Sequence, residues 1–340
     1  MQPTSVLLTC AGQRVDMVEA FREALADEGR GGIAVACDLN PLSPALYAAD
    51  ARALVPPVTD HGYIPALLEL VREHGVRAVL PLTDLDQRIL SEQREAFAEA
   101  GATVVAAPPA VCDMCADKHS AARFFNAHGI PSPRTWLPAD VPPVDELRFP
   151  VLVKSRKGFG SRDIYRCRNA AELEFFLGYT PVPSMVQEVC GGEEFSIDVL
   201  CDLEGRCVSS IPRSMIESKG GESIKGRTLD DAELVAFGAL VAETLPIHGP
   251  ATIQCFRTAP GRHEVTDVNP RFGGAFPLPL AAGGAYPSLV LALARGEQIA
   301  SRLGAYRAGV VMTRYLSHVA LIEGPNGFEP LVEREIPAIS

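Results

Sequence analysis

Apolar and polar positions alternate in two ways along the chain, and the first way covers residues 1 to about 110. Short apolar runs there predict buried β-strands at Ser5–Cys10, Ile33–Cys37, Ala78–Leu80 and Thr103–Ala106. Apolar residues spaced three and four apart predict helices between these strands, the first marked by Val15, Val18, Phe21 and Leu25. Strands that alternate with helices indicate an open parallel α/β sheet with crossover helices.

The second pattern begins after a helix predicted near Phe124 and a proline-rich connecting segment, Ile130–Pro150. Strand-like runs then follow at Val151–Lys154, Asp163–Cys167, Met185–Val189, Phe195–Cys201 and Cys207–Pro212. A helix is predicted around Leu234–Leu245, before a hairpin formed by Ala251–Arg257 and Glu264–Asn269 and closed by Thr258–Arg262. This half of the chain therefore indicates an antiparallel α+β arrangement.

Composition narrows the class of protein. The 340 residues suffice for two or three domains with cores of their own. A net charge of −11, from 31 basic and 42 acidic residues, argues against a general nucleic-acid binder. No apolar run approaches the roughly 20 residues that span a bilayer, and Met1–Thr4 lacks the basic region of a signal peptide. We therefore expect a cytoplasmic protein that binds neither nucleic acid nor membranes.

The first strand and the glycine after it invite a dinucleotide-binding interpretation. The turn has only Gly12 where G-x-G-x-x-G needs three glycines, and Arg14 fills the space that the phosphate needs. The polar residues that follow strand ends are instead expected to face a substrate crevice; they are Arg14, Asp38, Asp84 and Asp86. A helix start explains Asp84 and Asp86 equally well, because carboxylates favour that end of a helix.

The spacing of the cysteines does not indicate a metal site or a redox site. Cys112 and Cys115 form a lone C-x-x-C that follows two prolines and leads into a helix. Without a second pair or histidines at zinc-site spacing, ordinary packing is the favoured interpretation.

Two segments of the second half have residues suited to nucleotide chemistry. Lys154 ends a strand and leads into Ser155–Arg162, where backbone N–H groups and cations suit a phosphate, although a solvated turn fits equally well. Gln187–Ser196 holds a two-glycine turn. The backbone groups of Glu188 and Cys190 could meet an adenine edge there, and an acidic residue after the turn could hold a ribose. An ordinary charged turn is the alternative.

A third segment, His263–Gly274, combines metal-ligand and phosphate chemistry. Asp267, Asn269 and Arg271 alternate, so on a strand they share one face. A carboxylate, an amide oxygen and a cation suit oxygen-ligated Mg²⁺ beside a phosphate, and Gln254 on the partner strand could add an amide oxygen. The alternative is a solvent-facing strand edge.

These pieces, in this order, resemble the ATP-grasp superfamily. The sequence is most similar to its carbamoyl phosphate synthetase-like branch of carboxylate–amine ligases, which includes the ligase of the pyrrolysine pathway. The most specific match is the set Gln254, Asp267, Asn269 and Arg271, although the family more often has Glu where Asp267 stands. The resemblance covers nearly the whole chain. It implies an α/β pre-ATP substrate domain at 1–112, a linker helix and lid subdomain at 113–190, and a C-terminal ATP-grasp subdomain at 191–340.

The resemblance also implies roles for individual residues. Those expected to bind ATP are Lys118, Lys154, Gly158, Gly160, Ser161, Gln187, Glu188, Cys190 and Glu194, with Glu193 as an alternative ribose ligand. Gln254, Asp267 and Asn269 would hold Mg²⁺, or Mn²⁺ in its place. Three cations are expected in catalysis: Lys225 at the γ-phosphate, Arg213 at the substrate or phosphoryl group, and Arg271 at an acyl phosphate.

The activity implied is an ATP-dependent ligation of a small-molecule carboxylate to an amine through an acyl phosphate, with release of ADP and phosphate. Such a site positions groups and neutralises charge, and it needs no protein nucleophile. The alternatives are a nucleotide-binding regulatory module without ligation, an enzyme that phosphorylates bicarbonate or carbamate, and a nicotinamide oxidoreductase. The sequence leaves the oligomeric state open, with a homodimer as the commonest assembly.

Overall fold

The computed structural model describes residues 3–158, 163–219, 222–325 and 327–331. The elements of the first part of the chain are, in order, β1 Ser5–Thr9, α1 Val15–Glu28, β2 Ala34–Asp38, α2 Ala45–Ala48, β3 Ala51–Leu54, α3 Tyr63–His74, β4 Val76–Pro81, α4 Gln87–Glu92, α5 Arg94–Glu99, β5 Thr103–Val104, α6 Pro109–Ala116, α7 Lys118–Ala127 and β6 Thr135–Trp136. Two short 3₁₀ helices follow, at Pro138–Asp140 and Val144–Glu146.

The remaining elements form the larger, strand-rich part. They are β7 Val151–Ser155, β8 Ile164–Cys167, α8 Ala170–Tyr179, β9 Ser184–Glu188, β10 Glu193–Cys201, β11 Cys207–Lys219, β12 Glu222–Thr228, α9 Ala232–Thr244, β13 Gly249–Ala259, β14 Arg262–Asn269, α10 Pro277–Ala281, α11 Tyr286–Ala294, β15 Val311–Thr313, β16 Leu321–Gly324 and β17 Gly327–Pro330.

The chain divides into two compact units. The first comprises 1–106, 285–299 and 315–340, and the second comprises 107–284 and 300–314. The first unit has a five-stranded sheet in the order β3-β2-β1-β4-β5, which is parallel as the alternating pattern predicts. Strand β3 was not predicted from the sequence. Helix α11 returns to this unit, where Arg295 pairs with Glu28 at 2.9 Å. The sequence pattern gave no sign of this return.

The second unit contains two antiparallel sheets. A four-stranded sheet has the order β6-β9-β7-β8, and a six-stranded sheet has the order β14-β13-β10-β11-β12-β15. One face of the six-stranded sheet is apolar, with Phe195, Ile197, Ile253 and Val268 packed against α6, α7 and α9. Because side chains alternate along a strand, the opposite face of the same strands carries the polar residues.

Several predicted boundaries differ from the observed ones. The hairpin turn is shorter than predicted, because β13 runs to Ala259 and β14 resumes at Arg262. Strand β11 extends well past Pro212 and pairs with β12, a strand that was not predicted from the sequence. Its polar and glycine-rich composition conceals this strand from a hydrophobicity pattern.

Helix starts follow ordinary capping chemistry. Asp117 caps α7 by accepting the backbone N–H groups of His119 and Ser120. Asn169 and Asp231 cap α8 and α9 in the same way. Such caps satisfy backbone donors that the helix itself leaves unpaired. The cap at Asp117 matters most for the site below, because it fixes where Lys118 begins its helix.

Candidate functional site

The polar face of the six-stranded sheet assembles residues from four strands. Strand register places Ser196 of β10 opposite both Arg213 of β11 and Gln254 of β13. Gln254 in turn lies directly opposite Asp267 of β14. Asn269 lies two residues beyond Asp267 and therefore on the same face. The three oxygen donors predicted as metal ligands are thus neighbours on one surface.

Two lysines converge on this surface. Lys118 Nζ, at the start of α7, lies 3.8 Å from Asp267 Oδ2 and donates a hydrogen bond to the carbonyl of Gly158 at 2.8 Å. Lys154, in β7, is buried, and burial lowers its pKa to about 8; Asp267 opposes that shift and Lys118 adds to it. Two lysine side chains therefore act on the single carboxylate of Asp267.

The register decides between the two adjacent glutamates of β10. Glu194 lies on the polar face with Ser196, whereas Glu193 is exposed and shares the opposite face with Phe195. Burial raises the pKa of Glu194, and the positive charge of Arg213 opposes that shift. Of the two glutamates, Glu194 is the one directed toward the lysine–carboxylate cluster.

Arg213 is held inside the sheet surface. Its Nε donates to Asp198 Oδ2 at 2.7 Å, and Thr252 Oγ1 donates to Asp198 Oδ1 at 2.6 Å. Arg213 and Asp198 are both buried. The sequence analysis missed Asp198 and Thr252. The alternation Glu194, Ser196, Asp198 on β10 is the pattern that marks Asp198, since these residues share one face.

The segment predicted to meet an adenine edge, around the end of β9, is partly occupied by protein contacts. The backbone N–H of Glu188 donates to the carbonyl of Arg134 at 3.0 Å, and its carboxylate pairs with Arg134 at 2.5 Å. This N–H is therefore already paired within the protein, and the adenine contact expected of the backbone of Glu188 and Cys190 stays a prediction. Gln187 is buried in β9, and Cys190 Sγ lies 3.6 Å from Glu264 Oε2.

Arg271 lies beside the metal-ligand candidates. Its guanidinium donates to Asn269 Oδ1 at 3.2 Å, and its backbone N–H donates to the carbonyl of Asn269 at 2.8 Å. Because β14 ends at Asn269, Arg271 is not on the strand as predicted, and the turn after β14 is what places this cation within hydrogen-bond reach of the amide oxygen.

The loop after β7 has a structural role at its start. Arg156 forms two hydrogen bonds to Asp117, and its carbonyl accepts the backbone N–H of Lys118 at 3.1 Å. These bonds tie the beginning of the loop to the start of α7 and hold Arg156 there, whereas the sequence analysis expected it over the phosphates. The predicted phosphate-binding residues Gly160 and Ser161 lie outside the described residues.

Lys225 is not brought to the cluster. Thr228 lies opposite Arg213, so alternation along β12 directs Lys225 to the other face of the sheet. Its Nζ pairs with Glu217 at 2.5 Å, and both side chains are about half exposed. The predicted role of Lys225 at the γ-phosphate stays a prediction.

The donor set fits a hard divalent cation. Gln254, Asp267 and Asn269 offer one carboxylate and two amide oxygens on a single face, which are ligands that Mg²⁺ and Mn²⁺ accept. Among the described residues no group of three or more His, Cys, Asp and Glu side chains has the geometry of a metal site. Cys112 and Cys115 form no disulfide with a described residue and are buried in the helical side of the core.

The comparisons with known proteins identify the family and the fold of the chain. Residues 6–105 match the family model of the PylC-like N-terminal domain, and residues 180–315 match the model described as ATP-grasp in the biosynthetic pathway with Ter operon. The chain is an ATP-grasp protein. The predicted resemblance and the predicted fold are thereby confirmed.

Two of the proteins that resemble this ATP-grasp protein are much longer than the segment that matches it. The chain is 27% identical over 138 residues to a carbamoyl-phosphate synthase of Methanobrevibacter smithii, which is 39% of the chain and 37% of that relative. It also resembles the pyruvate carboxylase of Rhizobium etli with a TM-score of 0.69 and 16% identity, over 91% of the chain. The match covers only 30% of that carboxylase. The chain thus spans about a third of both proteins.

Two other solved structures are matched over about three quarters of their own length. The biotin carboxylase domain of a Hydrogenobacter thermophilus 2-oxoglutarate carboxylase has a TM-score of 0.71 and 17% identity, with 92% of this chain and 74% of that chain covered. An L-amino acid ligase of Bacillus licheniformis has a TM-score of 0.65 and 17% identity, with 87% and 75% covered. At these identities the likeness shows the fold. In the described residues of this ATP-grasp protein, no helix has the length and apolar character needed to cross a membrane.

Proposed function

We propose that this protein is an ATP-dependent ligase that joins a small-molecule carboxylate to an amine through an acyl phosphate and releases ADP and phosphate. The observation that carries the proposal is the convergence of Lys118 and Lys154 on Asp267, with Gln254 and Asn269 on the same face. Cations beside hard oxygen ligands are what phosphoryl transfer from ATP requires.

In this proposal the two lysines neutralise the phosphate oxygens. Lys154 is buried and close to Lys118, so an anionic group that enters the pocket relieves the repulsion between them. Glu194, on the same polar face, would accept hydrogen bonds from the ribose. The adenine edge would meet the backbone near Gln187, Glu188 and Cys190, without the N–H of Glu188.

Gln254, Asp267 and Asn269 would hold Mg²⁺, which would polarise the phosphate oxygens when bound. Arg271 donates to Asn269 and would place its positive charge beside an acyl phosphate. Arg213 is buried against Asp198, and we assign it the positioning of the polar face around Ser196 and Glu194. None of these roles needs a covalent protein intermediate.

The test measures which products form from ATP. The protein is incubated with ATP, Mg²⁺ and pairs of amino acids or related acids and amines, and ADP and phosphate are expected to appear with an active pair. Lys154→Met is expected to abolish this reaction. Arg166→Met is the matched control, since Arg166 lies on the neighbouring strand β8 and is exposed. Formation of AMP and pyrophosphate contradicts the proposal.

Phosphorylation of bicarbonate or carbamate is the second candidate. The Hydrogenobacter neighbour was solved with MgADP and bicarbonate, and the Methanobrevibacter relative is a carbamoyl-phosphate synthase. The same cations and oxygen ligands would serve this reaction. ADP formation that depends on bicarbonate and needs no organic carboxylate would favour it over ligation. ADP formation that needs neither would favour a nucleotide-binding module.

Domain organisation and assembly complete the proposal. We propose a division into a substrate domain at 1–112, a lid subdomain at 113–190 and an ATP-grasp subdomain at 191–340, except that residues 285–299 group with the first compact unit. The four-stranded sheet β6-β9-β7-β8 falls within the second of these ranges, which supports it. A homodimer is the expected assembly, since the Hydrogenobacter domain was solved as a dimer. Sedimentation of the full chain tests the assembly.

A further inference from the structure

The first unit has a polar cluster that the ATP site does not use. It lies where the parallel sheet reverses its strand order, between β1 and β4: β2 and β3 extend to one side of β1, and β4 and β5 extend to the other. Open α/β sheets bind ligands at the carboxyl ends of strands at such a reversal. Cys10 directly follows the end of β1 here, and Asp86 lies five residues after the end of β4.

Asp86 is buried, but its side chain does not cap the helix that it precedes. It occupies the N-cap position of α4 and makes no capping hydrogen bond. Its Oδ2 accepts a hydrogen bond from the Tyr63 hydroxyl at 2.7 Å. Its Oδ1 is buried and has no hydrogen-bond partner among the described residues. A buried polar atom without a partner is costly, which indicates a missing donor.

Cys10 gives this cluster its contact with the surface. Its Sγ lies 3.7 Å from the Tyr63 hydroxyl, and it is partly exposed while Tyr63 and Asp86 are buried. The backbone of Cys10 has φ = 47°, a left-handed conformation that non-glycine residues seldom adopt. Such conformations are concentrated at functional sites.

The charges around Asp86 have one sign. The titratable groups that act on Asp86, Cys10 and the neighbouring Cys37 are one another, Tyr63 and Asp38. In the described part of the chain, neither Asp86 nor Asp38 lies within 4.0 Å of a lysine, arginine or histidine nitrogen. Asp38 already accepts the backbone N–H groups of Gly12 and Asn40, at 2.8 Å each. Asp86 therefore has no counter-charge among the described residues. Burial raises the pKa of its carboxyl, and the Thr9 hydroxyl, the Tyr63 hydroxyl and the Cys10 thiol oppose that rise, but no donor that the structure describes meets hydrogen-bond geometry at Oδ1.

We propose that the carboxyl ends of β1 and β4 form a binding site for the primary ammonium group of a small molecule, with Asp86 Oδ1 as its acceptor. An ammonium group supplies both the missing hydrogen-bond donor and the missing positive charge. Tyr63 orients the carboxylate, and Cys10 lines the approach. This inference is independent of the ligase proposal, because it concerns residues of the first unit alone and needs no ATP.

The protonation state of Asp86 should make amine binding depend on pH in a measurable way. Burial raises the pKa of Asp86, which favours its neutral form, and an ammonium favours the ionised form. Binding should therefore release a proton, and affinity should rise with pH until the amine itself loses its proton. Burial also raises the pKa values of Tyr63, Cys37 and Cys10, that of Cys10 to about 12, so these groups stay neutral over this range.

The experiment uses the full chain without nucleotide and n-butylamine as the probe, with 1-butanol as its uncharged counterpart. Saturation-transfer NMR and calorimetry in two buffers are expected to show saturable amine binding with proton release. Asp86→Asn should weaken binding about tenfold or more and remove its pH dependence. Glu69→Gln makes the same charge change on the exposed face of α3 and should bind as the unsubstituted protein does.

Tyr63→Phe supplies a second variant, and thermal unfolding establishes that each variant is folded. Removing the Tyr63 donor should raise the pKa of Asp86 further and move the pH dependence of binding to higher pH. Equal binding of butylamine and butanol, unchanged binding by Asp86→Asn, or no saturable binding by the folded protein would each overturn the proposal. The ligase proposal fails separately, since it is judged by ADP release.

Discussion

Lys118 and Asp267 lie 3.8 Å apart, Nζ to Oδ2, at the edge strand of the six-stranded sheet. The side chains come from the start of α7 and from β14, so folding of the second unit is what joins them. Their pairing links the two halves of the proposed site, because one is a phosphate-binding candidate and the other a metal-ligand candidate. Substituting Asp267 therefore affects both the proposed metal site and the position of Lys118, and the two effects must be measured separately.

Substitution of Asp267 separates these two roles. Asp267→Asn should weaken ADP binding about tenfold in the presence of Mg²⁺, because the only carboxylate among the three proposed ligands is lost. Asp267→Glu keeps the charge, and it should bind within a few-fold of the unsubstituted protein. Calorimetry with Mg²⁺ and with EDTA measures the difference. An equal loss with and without Mg²⁺ would show that Asp267 acts by positioning Lys118.

The pH dependence of nucleotide binding should report Lys154. Its pKa of about 8 means that about half of the free protein has a neutral lysine at pH 8, and phosphate oxygens favour the charged form. ATP binding near pH 8 should therefore take up about half a proton per lysine, whereas this lysine should take up almost none near pH 6.5. Calorimetry in two buffers with different ionisation enthalpies measures the uptake.

Lys154→Met and Arg166→Met provide the comparison for this effect. The first should lose both affinity and proton uptake, and the second should keep both because Arg166 is exposed. Proton uptake near pH 8 that persists in Lys154→Met would assign the titration to another group.

Much of the strand framework was predictable, because it depends on local alternation of apolar residues. Ile197, Ile253 and Val268 have this pattern in the sequence and pack on one face in the structure. The same alternation predicts that Asp267, Asn269 and Arg271 share a face. Pairing across strands was not predictable, since the sequence does not state which residue of β13 lies opposite Asp267.

Contacts made by single polar side chains were also beyond the sequence. The sequence allowed two roles for Asp86, stabilising the start of a helix or facing a substrate crevice. The structure favours the second role, because Asp86 makes no capping hydrogen bond. Arg156 looked like a phosphate ligand, and the structure ties it to Asp117. A charged residue in the sequence indicates that its side chain needs an ion pair, a hydrogen bond or solvent. Which of these it has depends on the tertiary structure.

The buried pair of Arg213 and Asp198 should stabilise the second unit. Arg213→Met leaves the Asp198 carboxylate buried without its cation, which we expect to cost about 3–5 kcal/mol in the free energy of unfolding. The double variant Asp198→Leu, Arg213→Met removes both charges and should recover part of that loss. Denaturant unfolding measures all three values. A double variant less stable than Arg213→Met would contradict this account.

Gly192 and its neighbour Gly191 offer a matched test of the turn that leads into β10. Gly192 has φ = 89°, and a Cβ on it would lie 2.0 Å from the carbonyl oxygen of Arg257, whereas a Cβ on Gly191 would meet nothing within 4 Å. Gly192→Ala should therefore cost about 3 kcal/mol or more in stability and displace Glu194 from the polar face. Gly191→Ala should change stability by less than about 1 kcal/mol, because its backbone suits alanine. Thermal unfolding and ADP binding measure the two effects. Equal stabilities of the two variants would show that the close approach of Gly192 to β13 does not constrain the turn.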